Sequence, residues 1–458
     1  MTILNAAIGG VPTAAAGERR TRVRYGIVAM LFFVTAINYA DRATLSIAGP
    51  ALSKELGFDS VTMGYIFSAF GWSYVIGQLP GGWLLDRFGS KIVYFASVLI
   101  WSVFTMLQGS LSFLSATLGS AFVVLFALRF LVGFSEAPSF PANGRIVAAW
   151  FPTNERGTAS AVFNSAQYFA TVLFAPIMGW ITHTYGWPYV FYFMGALGIV
   201  VAFVWLKVIY SPKDHPRISQ AELDLLQQGG ALVDMDQPKV AVAGNASADS
   251  PKLGYIKQML ANRMLLGIYI AQYCITTITY FFLTWFPVYL VKERGMSILN
   301  AGFVAALPAI CGFVGGVLGG VISDHLLRKG HSLTFSRKAP IVVGMLLSTS
   351  MIACNYVSSS AVVVGIMAFA FFGKGLGALG WAVVSDTSPK EIAGLSGALF
   401  NTFGNVAAIT TPIVIGYLVK GTGSFNAALV FVAANALVAV ISYLFVVGEI
   451  KRVVLVKA

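Results

Sequence analysis

The sequence predicts an all-α membrane protein whose twelve transmembrane helices form two pseudo-symmetric six-helix bundles. Three observations carry this. Of the 458 residues, 57% are hydrophobic and only 10% are charged; soluble domains carry about 25% charge, so a soluble core could not hide this much apolar surface. Twelve apolar stretches run along the chain, each near the ~20 residues that cross about 30 Å of hydrocarbon at about 1.5 Å per residue. A polar segment divides them six and six, and one short motif recurs at the matching place in each half.

The first six spans are expected at about 25–49, 61–83, 92–110, 119–141, 158–182 and 187–209, the second six at about 262–290, 299–322, 339–357, 361–384, 394–419 and 425–447. This gives a tail (1–24), an N-terminal bundle (25–209), a linker (210–260), a C-terminal bundle (261–447) and a closing tail (448–458). The first tail is Ala/Gly-rich, then basic, and shows no signal-peptide cleavage site. The linker holds Pro212, Pro216, a charged run and a Gly/Ala/Ser-rich stretch, which reads as a partly helical connection on the water side. With both ends on one side, only Lys54, Lys292, Arg294 and Lys420 of the 30 Lys and Arg fall in outer loops. The positive-inside rule then places both termini and the linker in the cytoplasm. The net charge of +12 is therefore topology, not nucleic-acid affinity. The Asn245-Ala-Ser sequon lies in the linker, on the wrong side for glycosylation. Cys274, Cys311 and Cys354 show neither a disulfide pattern nor metal spacing, and no cofactor is expected.

The repeated motif follows spans two and eight. The chain reads GGWLLDRFGSK from Gly81 and GGVISDHLLRKG from Gly319. Each places a double glycine at a helix end, an Asp four residues after its second Gly, then cations. Small residues let helices approach closely. Gly82, Asp86 and Arg87 in the first half, with Asp324 and Arg328 in the second, are expected to form a state-dependent latch on the cytoplasmic face. The same residues also read as a solvated tight turn.

Five charges lie inside the spans: Asp41, Arg42, Arg129, Glu136 and Lys374. Each costs roughly 2.5–3.5 kcal/mol on insertion scales unless it is paired or wet. Three cations and two acids suit a cavity that holds an anion and carries protons. Asp41 and Arg42 are neighbours, about 100° apart on a helix, and need not bond each other. The Arg42 fork matches a substrate carboxylate; a structural ion pair to another helix is the alternative. Arg129 and Glu136 share a face but stand about 10 Å apart along the axis, so each must meet something else. Pro138 and Pro141 interrupt the helix just after Glu136. Glu136 and Asp41 are the expected proton carriers, with Arg129 as a helper charge. Lys374 lies among Gly373, Gly375, Gly377 and Gly380, seven residues before Trp381. Arg42 and Lys374 together would flank one cavity and suit an anion with a carboxylate at each end. Snorkelling to the surface is the other reading of Lys374.

Twelve spans, a central linker and the repeated loop resemble the major facilitator superfamily. Within it, NYADRATLS (Asn38 to Ser46), RFLVGFSEAPSFPA (Arg129 to Ala142), AAWFPTNERGTASA (Ala148 to Ala161) and FNSAQY (Phe163 to Tyr168) resemble the anion:cation symporter family. SEAPSFPANGRIVAAWFP, FFLTWFPVYLV, AFFGKGLGALGW and FVVGEIKR are closest to bacterial glucarate/galactarate permeases. The likeness runs from about Arg24 to Val447; the N-terminal 20 residues and the linker beyond Asp236 are not diagnostic. It implies two halves rocking about a midplane site, and an Asp-Arg pair in the first helix that handles anion and proton. Among uncharged polar residues in the spans, amides and phenols suit polyol hydroxyls, and the resemblance favours Tyr39, Tyr74, Gln167, Trp381 and Asn401 beside Arg42 and Lys374. The expectation is a non-enzymatic, monomeric, proton-coupled importer of a dicarboxylic sugar acid in a bacterial inner membrane, with a small anion, protons and lipid as its partners. A monocarboxylic sugar acid or other organic anion is the alternative substrate, and a transporter-like sensor the remote alternative.

Overall fold

A computed structural model describes residues 20–152, 155–234, 253–389 and 393–454. The expected tail through residue 19, the linker at 235–252 with its sequon, and residues 455–458 lie outside the described residues. No strand occurs among the described ones. The N-terminal half consists of α1 (Val23–Leu56), α2 (Ser60–Phe88), α3 (Ser90–Gly109), α4 (Ala121–Trp150), α5 (Arg156–Tyr185) and α6 (Trp187–Val208). The C-terminal half consists of α7 (Arg263–Lys292), α8 (Ile298–Arg328), α9 (Leu333–Tyr356), α10 (Ser360–Thr387), α11 (Ala393–Thr422) and α12 (Asn426–Val446). Several helices overrun the expected spans, because backbone hydrogen bonding continues past the hydrocarbon while the sequence count follows hydropathy alone.

Eleven of these helices are long and apolar enough to cross a membrane. The twelfth, α2, has 29 residues but carries glycines, serines and a glutamine along its length. It gives up hydropathy for close approach. A Cβ on Gly64 would lie 2.6 Å from the Pro412 carbonyl oxygen of α11, and one on Gly81 would lie 2.9 Å from the Pro138 ring of α4. Thus the first part of α2 packs on the opposite half and its last part on its own half.

Three helices are irregular where the site forms. In α4 the α-helical run stops at Glu136 and resumes at Ser139, around Pro138. In α7 Phe281–Trp285 forms a π turn, with the Phe286 N–H donating to the Phe281 carbonyl five residues back. Pro287 follows and has no N–H to give Leu283, so the widened turn falls where the normal ladder is already broken. In α10 the helix ends at Leu376 and restarts at Gly380.

The halves meet at the face away from the described termini. Gly179 of α5 and Gly302 of α8 pass so closely that a Cβ on Gly302 would lie 2.7 Å from the Ala175 carbonyl oxygen. Tyr65 and Tyr417 bring their hydroxyls within 3.3 Å, and Lys420 Nζ bonds Asp59 Oδ2 at 2.8 Å. Lys420 and the Thr62 N–H that Asp59 caps hold this carboxyl down at about 2. Its ordinary value is 3.8. A depressed carboxylate keeps its full contribution above the ordinary value and loses it only as pH falls through the lower one. Both side chains are exposed, so the pair adds register rather than much stability.

At the opposite face the linker caps the first helix. Arg22, at the N-cap of α1, offers no side-chain cap. Instead the fully buried Glu222, on the short helix Gln220–Gln228, accepts from Thr21 Oγ1 at 2.7 Å, Val23 N at 3.0 Å and Arg24 N at 3.4 Å. Arg24 Nη1 adds an ion pair at 3.3 Å. A carboxylate there satisfies orphan N–H groups and complements the helix dipole. Glu222→Ala should therefore cost about 1–3 kcal/mol, read as a lowered unfolding midpoint in detergent. Glu222→Gln, which keeps an acceptor, should lose less.

Candidate functional site

Four of the five expected intramembrane charges meet around the middle of α1. Asp41 and Arg42 are both buried, and their side chains diverge to different helices. Arg42 reaches α4. Its Nε donates to Glu136 Oε1 at 2.6 Å, and its Nη2 forms an ion pair with the same oxygen. Glu136 is fully buried and is the last residue before the proline break. Ser139 Oγ donates to its carbonyl oxygen at 2.6 Å, which ties the interruption together. The Arg42 guanidinium carbon lies 4.7 Å from the Phe70 ring centre, 4.8 Å from Tyr39 and 5.0 Å from Tyr74. This aromatic sleeve compensates part of the cation's lost hydration.

Asp41 turns the other way and accepts from Thr105 Oγ1 of α3 at 2.8 Å. Arg129 forms no ion pair with either acid among the described residues. Its Nη2 donates to the Arg42 carbonyl oxygen at 2.8 Å and its Nη1 to that of Asp41 at 3.4 Å. A helical carbonyl has a second lone pair free for such a donor. Arg129 thus grips the α1 backbone at Asp41 and Arg42, a contact that the seven-residue spacing to Glu136 could not specify.

Lys374 stands apart, in the other half. A Cβ on Gly373 would lie 2.5 Å from the Gly344 carbonyl oxygen of α9, and one on Gly375 would collide with the Gly312 carbonyl oxygen of α8. The two glycines let α10 touch both neighbours at once, and Lys374 projects between those contacts. It is 6% exposed. Among the described residues it has no hydrogen bond and no acidic partner. Its Nζ lies 5.1 Å from the Phe371 ring centre and 5.9 Å from that of Tyr168, across the halves. Snorkelling to the surface is not what this burial describes.

Between the halves lies a small cavity of about 60 Å³. Tyr39, Ser46, Gln167, Tyr168 and Thr171 line it from the N-terminal half, and Thr279, Phe282, Phe286 and Phe371 from the C-terminal half. Of the expected binding residues only Tyr39 and Gln167 reach its wall. Arg42 and Tyr74 sit behind Tyr39, and Lys374 sits behind Tyr168 and Phe371. Trp381 does not share a face with Lys374, because α10 is broken between them. Its side chain is 58% exposed and packs its ring 5.0 Å from Phe400. Asn401 is half-buried and its carbonyl accepts from Asn405 Nδ2 at 3.0 Å; it is not on the cavity wall. Sequence reasoning missed Phe70, Thr105, Tyr168, Thr171 and Thr279. Tyr168 closes the FNSAQY stretch, and that was its one signal; the others are residue types found throughout apolar helices.

The repeated motif makes its ion pairs inside each half. Asp86 pairs with Arg145 of α4 at 2.5 Å, while Arg87 stacks on Trp83 and Phe88 at 5.2 and 5.5 Å. Asp324 meets Arg337 of α9 at 3.5 Å, and Arg337 also holds Asp386 of α10 at 2.8 Å. Arg328 donates to the Asp324 carbonyl oxygen at 3.4 Å, not to its carboxylate. The cations next to the aspartates are therefore not their partners. The first glycine of each pair makes the close approach, Gly81 on Pro138 and Gly319 on Leu376, while Gly82 and Gly320 have open space.

Comparison with known proteins places this architecture. Residues 31–333 match the family model described as Major Facilitator Superfamily. The "Probable galactarate/D-glucarate transporter GudP" of Bacillus subtilis (strain 168) is 67% identical over 439 residues, covering 96% of this chain and 95% of that protein. The protein of the same name from Escherichia coli (strain K12) is 63% identical over 440 residues, covering 96% and 97%. Among solved structures, the D-xylose-proton symporter superposes with a TM-score of 0.67 at 16% identity, covering 94% of this chain and 99% of that one; at that identity the likeness is one of fold. Matched along most of its length by the family model, this chain belongs to the major facilitator superfamily.

Proposed function

We propose that this protein imports a dicarboxylic sugar acid of the glucarate/galactarate type together with protons, by alternating access across a bacterial inner membrane, with both termini cytoplasmic. The observation that carries the reading is the arrangement of two buried cations about one cavity: Arg42 engaged by Glu136 in one half, Lys374 without an acid in the other. The names of the two close relatives support the substrate class.

The chemistry follows from that asymmetry. A substrate carboxylate that reaches Arg42 competes with Glu136 for the same fork of donors. A displaced, buried Glu136 carboxylate is left without its counter-charge and takes up a proton instead of remaining ionised. Substrate and proton binding are thereby linked at one guanidinium. Lys374 receives the second carboxylate, which removes an uncompensated buried charge. Tyr39, Gln167 and the hydroxyls of Ser46, Thr171 and Thr279 are left to meet the polyol chain. Asp41, held off on α3, is the second carrier. A dianion entering an inside-negative cell opposes about 2.3 kcal/mol per charge per 100 mV, and two protons cancel that cost.

Three measurements test this. Asp41→Asn and Glu136→Gln should each abolish pH-gradient-driven accumulation in proteoliposomes, and at least one should retain substrate exchange, which needs no net proton movement; accumulation surviving in both would make these carboxylates structural. Lys374→Asn should weaken glucarate by about 10- to 100-fold, the range for losing one charged hydrogen-bonded contact. An aldonate with one carboxylate should change little, and equal losses for both acids would remove Lys374 from the second-carboxylate role. Finally, the halves must part at the Tyr65–Tyr417 face for substrate to enter. Bridging a Tyr65→Cys/Tyr417→Cys double variant with a bifunctional methanethiosulfonate reagent, in a background lacking the native cysteines, should block uptake until a reductant is added.

A further inference from the structure

Thr105 is the one described side chain that bonds the Asp41 carboxylate. It lies on α3, a helix that contributes nothing to the cavity wall. Both residues are 1% exposed, and Asp41 Oδ1 has no protein partner. The charged groups that act on Asp41 from α4 are Arg129 and Glu136, and Arg42 follows it in α1. None of them bonds its carboxylate: Arg129 gives both terminal nitrogens to the α1 carbonyls, and Arg42 and Glu136 pair with each other.

We infer that Thr105 is the positioning residue of the Asp41 proton carrier. It keeps this carboxyl on the α3 side, where it exchanges a proton separately from the Arg42–Glu136 pair. A hydroxyl suits the task because it serves both protonation states. It donates to the carboxylate and, by rotating, accepts from the carboxylic acid. Its own alternative is the helix carbonyl four residues back, so the rotation leaves no buried group stranded. A methyl in its place would leave the ionised form of Asp41 with no donor, and would also free the carboxyl to swing toward Arg42 and Arg129. In the first case the proton is released less readily to the cytoplasm. In the second, Asp41 pairs with Arg129 and holds its charge, so the proton is not taken up. Either way net proton transport suffers while substrate binding does not require Thr105.

The inference rests on the reading of Asp41 as a carrier, and the experiment separates the two. Thr105→Val is nearly isosteric and removes the hydroxyl; Thr105→Ser restores it. Galactarate uptake driven by an imposed pH gradient should fall about tenfold or more in Thr105→Val, the loss expected for a buried hydrogen bond to a charged group. The pH profile of the residual uptake should shift by about one unit. Counterflow of galactarate with no gradient should stay within about twofold, since only the proton-transfer contact is removed. Thr105→Ser should match the unmodified protein in all three. Wild-type gradient-driven uptake and pH profile in Thr105→Val, or an equal loss of counterflow, would overturn the inference while Asp41→Asn still abolishes accumulation. If Asp41→Asn itself accumulates galactarate, the carrier reading fails and this one fails with it.

Discussion

The site depends on the ion pair between Arg42 and Glu136. Two charges at this depth are stable only if they neutralise each other and if the remaining faces of the cation are covered, because desolvation of each ion costs several kcal/mol. The surrounding residues meet those conditions in turn. Phe70, Tyr39 and Tyr74 cover the guanidinium. The break at Pro138 puts Glu136 at a helix end, where Ser139 bonds its carbonyl. Gly77 and Gly81 of α2 admit the displaced turn, since a Cβ on Gly77 would lie 2.8 Å from that of Ala137. Arg129 fixes the α1 backbone against α4 so that the pair keeps its register. A buried pair of this kind adds little stability over an apolar replacement but is very sensitive to anything that supplies a rival for one partner. An anionic ligand would be such a rival, which is how the proposed substrate exchanges with Glu136 at Arg42.

The contacts between halves have a different chemistry. Gly179 against Gly302, and Gly64 against the Pro412 carbonyl, are backbone approaches that involve no long side chain. Apolar side chains also cross the seam, Phe67 packing its ring 5.3 Å from that of Trp285, while the polar contacts there, Asp59–Lys420 and Tyr65–Tyr417, are exposed and weak. Within each half the polar ties are more numerous: Asp86–Arg145, Arg337 with Asp324 and Asp386, and Arg294 bonding the Cys354 and Val357 carbonyls at 2.5 and 2.9 Å. More polar ties inside the halves than between them suit the rigid-body rocking of the proposed cycle.

How much of this was legible in the sequence depended on what each signal averages over. Hydropathy sums many residues, so it located the helices and the two-half division, with α2 the weakest because its glycines serve packing. Charges at depth are rare, so all five were found, and four proved to be one cluster. Pro138 announced the break in α4 because proline's missing N–H acts locally. Partners were not legible. Arg42 pairs with a residue 94 positions away, and no spacing rule reaches that far. The seven-residue argument for Lys374 and Trp381 assumed an unbroken helix, and three turn residues between Leu376 and Gly380 void it. The motif offered Asp86, Arg87, Asp324 and Arg328 together as a latch, whereas the aspartates pair with Arg145 and Arg337, which arrive from neighbouring helices. Thr105 gave no sign, since a threonine in an apolar helix ordinarily bonds its own backbone.

The separation of Lys374 from the N-terminal cluster has an electrostatic consequence for the proposed cycle. With Asp41 and Glu136 ionised, the two acids offset Arg42 and Arg129, and Lys374 leaves the site one positive charge in excess. A bound dianion would turn that into one negative charge, and two protons would return it to the starting value. The loaded and empty carriers then present the same charge to the membrane field, so whatever the field adds to one reorientation, at about 2.3 kcal/mol per charge per 100 mV, it returns on the other, and the full cycle is electroneutral. A carrier loaded with substrate but only one proton would differ from the empty one and would pay that cost on one leg of the cycle. The fifth charge thus does more than attract a second carboxylate. It fixes the sign of the charge that both forms carry, positive by one, while the balance of a doubly charged substrate against two protons holds whatever that fixed charge is.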